Sequence, residues 1–534
     1  MIRRIGILLL HFFVLCFFNT ILSQDYTLDS LIVRKILDSN KRGNVKVEEI
    51  SDSCDGRIVK LYLGLVYMQC FLPELGKLTG LIELNIEENG IAELGPEIGN
   101  LVNLETLILT QNELTSLPPE IGNLTKLKVL WLEEVTEFSD LPPEIGKLTN
   151  LVELNFYRNN ISNLPPEIGN LKNLENLDLR ENKLSGLPSE IGKLKNLKNL
   201  DLESNNLSVI PPEIGNLKNL ETINLRRNKL THIPSEIGNL HNLKTLILSR
   251  NIIHSIPNEL EGLINLTKLE ISGNKISSIP KEIGKLKALE RLGCSSNNIS
   301  AVPSEIGQLS RLVNLNLTNN KLTSIPSEIG NCKNLKILYL EMNAISSLPP
   351  EIGNLSILNY LSIYRNNLST LPPEIGNLGS LRVIRCEKNK ISTLPDQITK
   401  LTQMSGGKFD HNALDSNVLS HSIKEWLDTN AITWRGTQSV PVKIDVDNHG
   451  TSNFFKILPA NKNSTLQMYL PGSTCITLDL LDSKGRLINT VLDSYLSNGI
   501  HTVHLGNFLH CNGQYFLRIN NNQKTFLRRI LFIQ

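Results

Sequence analysis

Leu174-Glu175-Asn176-Leu177-Asp178-Leu179-Arg180-Glu181-Asn182-Lys183-Leu184-Ser185-Gly186-Leu187-Pro188-Ser189-Glu190-Ile191-Gly192-Lys193-Leu194-Lys195-Asn196 starts again, little changed, at Leu197 and recurs through most of this 534-residue chain. The frame is Leu-x-x-Leu-x-Leu-x-x-Asn, followed by Leu-Pro-x-Glu-Ile-Gly-x-Leu. Its asparagine returns at Asn89, Asn112, Asn159, Asn182, Asn205, Asn228, Asn251, Asn274, Asn297, Asn320, Asn343, Asn366, Asn389 and Asn412. Leu-x-Leu alternates at period two, so the leucines point one way and the intervening residues the other, as a half-buried strand requires. Pro118-Pro119-Glu120 and its copies begin a tight convex segment, since proline suits a first helical turn and cannot continue a strand. Gly122 and its copies are read as letting the chain turn back.

One such unit cannot fold alone. Burying about seven apolar side chains at roughly 2 kcal/mol each falls short of ordering the unit's residues at about 1 to 2 kcal/mol apiece. Stacked neighbours supply the rest through a shared core, a strand ladder and the asparagine column, whose amides satisfy backbone groups where the strand bends away. Two degenerate units bring the count to sixteen. One has Ile58, Leu61 and Leu63 with Val66 in the asparagine slot; the other has Leu127, Leu130 and Leu132 with Val135 there.

The frame resembles the leucine-rich-repeat family across residues 57–436. The resemblance implies an α/β chain: a leucine-rich-repeat solenoid with a parallel inner sheet and short convex helices or turns. A solenoid grows by addition and needs no single large core, which suits this length. Its open ends need caps. Residues 25–56 are read as the first cap, with Leu28, Leu31, Ile32 and Ile36 on one helical face and an extended stretch through Val45 and Val47. Repeats then occupy 57–415. Residues 416–436 form the second cap, an amphipathic helix of Val418, Leu419, Ile423, Trp426 and Leu427 after Asp415 and Ser416, with Trp434 beyond.

Past residue 437 the composition changes to short strands, expected at 442–446, 465–470, 476–481, 487–492, 500–505, 514–519 and 526–532, with turn signals between them. This spacing predicts an all-β immunoglobulin-like sandwich over 437–534. The runs Leu478 to Leu487, Gly499 to Val503, Asn512 to Ile519 and Arg528 to Phe532 also resemble the C-terminal sorting domain of type IX secretion substrates. That resemblance covers residues 464–534 and implies engagement of an export machinery and delivery to the surface or medium of a Gram-negative bacterium. At the other end, Arg3 and Arg4 precede an apolar run from Ile5 to Leu22, and Ser23-Gln24 follows. This is a secretory signal pattern over 1–24, with no membrane span expected after cleavage; a retained anchor is the alternative, which the polar His11, Asn19 and Thr20 within the run disfavour.

Lys plus Arg total 54 and Asp plus Glu 53, so no basic footprint for nucleic acid is present. Cys294 and Cys386 take leucine slots in their units, and Cys332 replaces the leucine of Gly-Asn-Leu, so all three read as buried thiols. Export would permit a disulfide between Cys54 and Cys70 and another between Cys475 and Cys511; the alternative for each pair is unpaired thiols in the core.

The residues between the leucines face outward on the concave sheet, and most are small or charged. Two places depart from that background. Trp131 stands in the column of Asn155, with Glu133, Glu134, Glu153, Tyr157 and Arg158 around it; Tyr339, Tyr360, Tyr364 and Arg365 gather further on. Exposed aromatics and arginine carry interface energy. The first group coincides with the one irregular unit, where Val135 to Leu141 holds one residue more than Asn112 to Leu117. A tolerated insertion beside ordinary surface residues is the alternative.

No nucleophile elbow, zinc-binding His-Glu-x-x-His or phosphate loop occurs, and the histidines lack ligand spacing, so no enzyme, metal or cofactor is expected. The leading expectation is a secreted or surface-displayed protein that recognises another protein through the concave face. The alternatives are an adhesin stacking glycans on Trp131 and the tyrosines, or a structural envelope component.

Overall fold

A computed structural model describes residues 26–434 and seven strands beyond them: Phe455–Ile457, Thr465–Leu470, Thr474–Leu481, Leu487–Leu496, Gly499–His504, Gly513–Asn521 and Lys524–Phe532. The run from Ile5 to Leu22, the expected strand at 442–446 and Cys511 lie outside the described residues. Among the described residues, no helix is long and apolar enough to cross a membrane. Two compact units divide between Ile299 and Val313.

The first unit opens with a helix at 26–39. The face it buries is Asp29, Val33, Ile36 and Leu37, while Leu28 and Leu31 are exposed. The expected face was thus rotated, because a charged residue holds its centre. Asp29 is 1% exposed and accepts hydrogen bonds from Arg57 Nε at 2.8 Å and the Ile58 N–H at 3.0 Å, tying the helix to the first coil. The stretch through Val47 is also not extended: Val47–Glu49 is a 3₁₀ turn, and the pairing strand is Ser51–Cys54, antiparallel to Arg57–Tyr62.

From Arg57–Tyr62 onward each coil of this unit contributes one strand, parallel to its neighbours and in register, as in Asn176↔Asn199, Leu177↔Leu200 and Asp178↔Asp201. The central leucine of each strand is buried and its flanking residues face out, as period-two patterning requires. Each return path is a single 3₁₀ turn such as Pro119–Asn123, with Pro118 extended before it.

The glycines of these turns do a different job from the one their sequence position suggests. Gly122 and its copies are absent from the positive-φ residues. A Cβ placed at Gly215 would instead lie 2.4 Å from the Glu236 carbonyl oxygen of the next coil, and at Gly238 2.1 Å from that of Glu259. Glycine is required because the stacked turns approach so closely.

The irregular coil absorbs its extra residue inward. Phe138 is fully buried and stacks on Phe156 at 5.6 Å and 12°. The insertion therefore thickens the core beneath the strand instead of projecting a loop.

The second unit repeats the same coil through the strands Asn314–Asn316, Ile337–Tyr339, Tyr360–Ser362, Val383–Arg385, Gly406–Lys408 and Ala431–Thr433, each parallel to the next. Its closing helix runs His421–Asn430, starting later than expected because Ser420 is the cap, its Oγ accepting from the Ile423 N–H. Val418 is left exposed, whereas Ile423, Trp426 and Leu427 are buried. Trp426 packs edge-on against Phe409 and donates to the Leu401 carbonyl, and Trp434 donates to Asp428. The strands beyond form two antiparallel sheets, one of three and one of four strands. Phe455–Ile457 was not anticipated; the other six overlap their expected positions.

Candidate functional site

The surface that can meet a ligand is the row of strand residues, and its geometry is set by what lies just behind it. In Asn182, Oδ1 accepts from the Ile161 N–H of the preceding coil at 3.0 Å. Its Nδ2 donates to the carbonyls of Phe156 in that coil, 2.8 Å, and of Leu179 and Arg180 in its own, both 3.1 Å. The same set recurs at Asn205, Asn228, Asn366 and Asn389, and in the irregular coil the Val135 N–H finds Asn159 Oδ1 at 2.8 Å. Most of these asparagines are nearly buried.

The residue before each asparagine slot is left-handed in every coil, with φ between +51° and +59° wherever it is not Gly273. Glu134, Arg158, Glu181, Arg227, Arg250 and Arg365 all sit there. Such a backbone costs roughly 1 kcal/mol or more per residue. It persists because the asparagine holds the carbonyls on both sides of the bend. It also throws these side chains outward beside the strand, a consequence the Leu and Asn spacing does not reveal.

Around Trp131 the predicted residues do come together. Trp131 pairs with Asn155 across the strands, and its Nε1 donates to Glu153 Oε1 at 3.0 Å. Asn155 Nδ2 donates to Glu133 at 2.6 Å, and Arg158 reaches Glu134 at 3.1 Å. The cluster extends one coil further than the sequence reading reached. Arg180 grips Asp178 through Nε and Nη2 and lies over the Tyr157 ring at 4.8 Å, while the Tyr157 hydroxyl meets Glu181. Burial raises the Glu133 carboxyl above its ordinary range, reinforced by Asp178; hydrogen bonds from Gln111 and then Arg158 hold Glu134 below it. Burial likewise raises Asp201.

In the second unit Tyr339 and Tyr360 meet at 5.2 Å with their rings tilted by 52°. Tyr364, in the same coil as Tyr360, lies under Arg385 at 5.5 Å and Lys388 at 5.4 Å from the next coil, and Arg385 is bonded to the buried Glu387. Arg365 is exposed at its left-handed position.

A third place was missed. Over the coils of Arg226 to Ser296, small residues Ser249, Ser272, Gly273 and Ser295 open a depression of about 460 Å³ in the strand row. Glu270 folds flat over Gly293, where a Cβ would stand 1.9 Å from Oε2. Burial raises the Glu270 carboxyl despite Lys268 and Arg291 nearby. Small residues at outward positions were the available signal, and they look like background in a sequence searched for aromatics.

Cys54 and Cys70 are free thiols, and both are exposed instead of packed in the core. Cys475 lies on Thr474–Leu481. Cys294, Cys332 and Cys386 are buried, and burial pushes the Cys332 thiol up to about 11, far from a reactive thiolate. Among the described residues no cluster of His, Cys, Asp and Glu could hold a metal ion.

Known proteins share this build. A leucine-rich-repeat protein of Leptospira interrogans is 38% identical, with a TM-score of 0.64, over 70% of this chain and 95% of its own. The plant peptide hormone receptor RGFR1 in complex with RGF2 is 30% identical, TM-score 0.50, over 68% of each chain. An internalin from Listeria monocytogenes is 27% identical, TM-score 0.50, over 64% of this chain and 96% of its own. A comparison with curated protein sequences gave no match. The family model of the leucine-rich repeat region matches residues 56–160, 154–224, 190–273 and 254–343, and that of the single leucine-rich repeat matches 334–355. With more than half of its length matched in this way, the chain belongs to the leucine-rich-repeat family.

Proposed function

We propose that this chain is a non-enzymatic recognition protein, secreted or displayed on the cell surface, that binds a partner protein through the strand row of its repeats. The observation that carries this is the alignment of Trp131, Asn155, Asp178 and Asp201 in register, ringed by Tyr157 and Arg180. A partly dry tryptophan and a stacked arginine on a rigid sheet are the residues from which interfaces draw most of their energy. The backbone beneath is over-determined, so little ordering cost is added on binding. The plant receptor solved with RGF2 supports a peptide or protein as the ligand class, and the internalin and the receptor support an extracellular setting.

Trp131, Glu133, Glu134, Glu153, Tyr157 and Arg158 are the proposed contacts in the first unit, and Tyr339, Tyr360, Tyr364 and Arg365 in the second. The apolar run from Ile5 to Leu22 supports export. The two antiparallel sheets support a sandwich-like tail, and residues 464–534 are proposed as its sorting address.

Capture of surface proteins by the full chain is expected to fall at least about tenfold in Trp131→Ala with Tyr157→Ala; unchanged capture overturns the reading. Truncation near Ser439 is expected to abolish surface delivery, and unaffected delivery overturns the sorting role.

A further inference from the structure

Within the first unit, the strand row changes sign along its length. The coils up to Glu203 present Glu133, Glu134, Asp178, Glu181 and Asp201, against which Arg158 and Arg180 are already engaged with carboxylates. The next four coils present Arg226, Arg227, Arg250, Lys268 and Arg291. Only Arg226, at the boundary, pairs with a carboxylate, Glu203 at 3.6 Å. Arg227, Arg250, Lys268 and Arg291 have none within 4.0 Å among the described residues. Arg250 and Lys268 line the depression floored by Ser249, Ser272 and Ser295, with Arg291 beside Lys268 on the next strand; of the two acids that line it, Glu203 is held by Arg226 and Glu270 is folded over Gly293.

We infer that this depression is the seat of an acidic segment of the protein partner, followed in the partner by a basic segment that lies on the coils of Asp178 to Glu203. The inference rests on the protein-binding reading above and specifies its chemistry. Unpaired arginines present forked donors that match carboxylates in geometry and charge. Four strands at about 4.8 Å span on the order of 15 to 20 Å, which an extended peptide covers in about five or six residues.

The neighbouring coils decide against a uniform polyanion. A nucleic acid or sulfated glycan laid along the row would leave the basic coils within about two strand spacings, on the order of 10 Å, and meet Glu203, Asp201 and Asp178. That distance is close to the Debye length of about 8 Å at physiological ionic strength, so the repulsion is felt. A segment of two opposite charge blocks satisfies both stretches.

The test uses the full chain and fluorescent peptides of about twelve residues, the length just derived for two blocks. One carries a glutamate block then a lysine block; the others are all-glutamate and all-lysine. A heparin oligosaccharide is the polyanion control. The two-block peptide is expected to bind tightest, and Arg250→Glu with Arg291→Glu to weaken it at least about tenfold. Arg250→Lys with Arg291→Lys should retain most of the binding. Both arginines are exposed, so an unchanged thermal transition will show that the variants fold. Equal binding by the reversed variant, or heparin binding as tightly as the two-block peptide, overturns the inference. If that happens while Trp131→Ala with Tyr157→Ala still loses its partner, the charge assignment alone falls; if both variants behave as wild type, the protein-binding reading falls too.

Discussion

Apart from the extra residue between Val135 and Leu141, the coils of Trp131 to Glu203 and those of Arg226 to Ser296 repeat one strand and one asparagine ladder and differ in what stands on it. In the first stretch aromatics and paired charges fill the row: Arg180 is held by Asp178 and Tyr157, and Arg158 by Glu134. In the second, serines and Gly273 leave it open, and Arg227, Arg250, Lys268 and Arg291 stand without a carboxylate within 4.0 Å among the described residues, while Arg226 pairs with Glu203. The asparagine bonds behind them are the same, as Asn182 and Asn228 show. The repeat therefore separates two tasks: the leucines and asparagines specify shape, while four outward positions per coil are free to specify chemistry. Leucine-rich-repeat proteins are typically binding scaffolds, and this division of labour is what permits it.

If the scaffold is equivalent, Asn182→Ala and Asn228→Ala should cost the same in urea unfolding, on the order of 3 kcal/mol each, since each leaves buried backbone groups on two coils without partners. A loss confined to one stretch would show that the backbones are not interchangeable. Next in size, Gly238→Ala drives a Cβ into the Glu259 carbonyl and is expected to cost about 2 kcal/mol. Gly293→Ala meets only the movable end of Glu270 and should stay within about 0.5 kcal/mol.

Smaller still, Arg180→Ala is expected to lose about 1 kcal/mol with its carboxylate and ring contacts, and Arg250→Ala nothing measurable. The pH dependence comes last. Burial raises the folded-state value of Glu270, so the native chain holds that proton more tightly than the unfolded chain. Ionising it lowers stability as pH rises from the ordinary value of 4.5 through the raised one. Glu270→Gln should therefore raise Tm at neutral pH, with the gain shrinking below pH 4.5. Glu133→Gln should behave alike for the same reason.

The architecture was legible because its determinants are local and repeated. Leu177 and Leu179 alternate, Asn182 returns on schedule, and each observation is made many times over. The caps were legible only as helices: Asp29 and Ser420 set their faces and starts through single polar contacts that periodicity does not register. Gly215 was assigned the wrong role because close approach between coils has no signature within one coil. The aromatic clusters were found because large residues stand out among serines and asparagines. The depression was not, because its information lies in what is missing at Gly273 and Gly293 and in cations that gain meaning only when seen to lack partners. Phe138 shows the converse: the extra residue of the irregular unit was visible in the sequence, but that the unit turns a phenylalanine into the core was not.

Site-directed photo-crosslinking tests recognition through the strand row most directly. A photoreactive residue placed at Asn199, on the strand, or at Lys193, on the convex turn, is carried by otherwise identical full chains. One protein adduct is expected from position 199, lost in Trp131→Ala with Tyr157→Ala, and none from position 193. Adducts from 193 alone, or from both positions equally, would contradict recognition through the strand row.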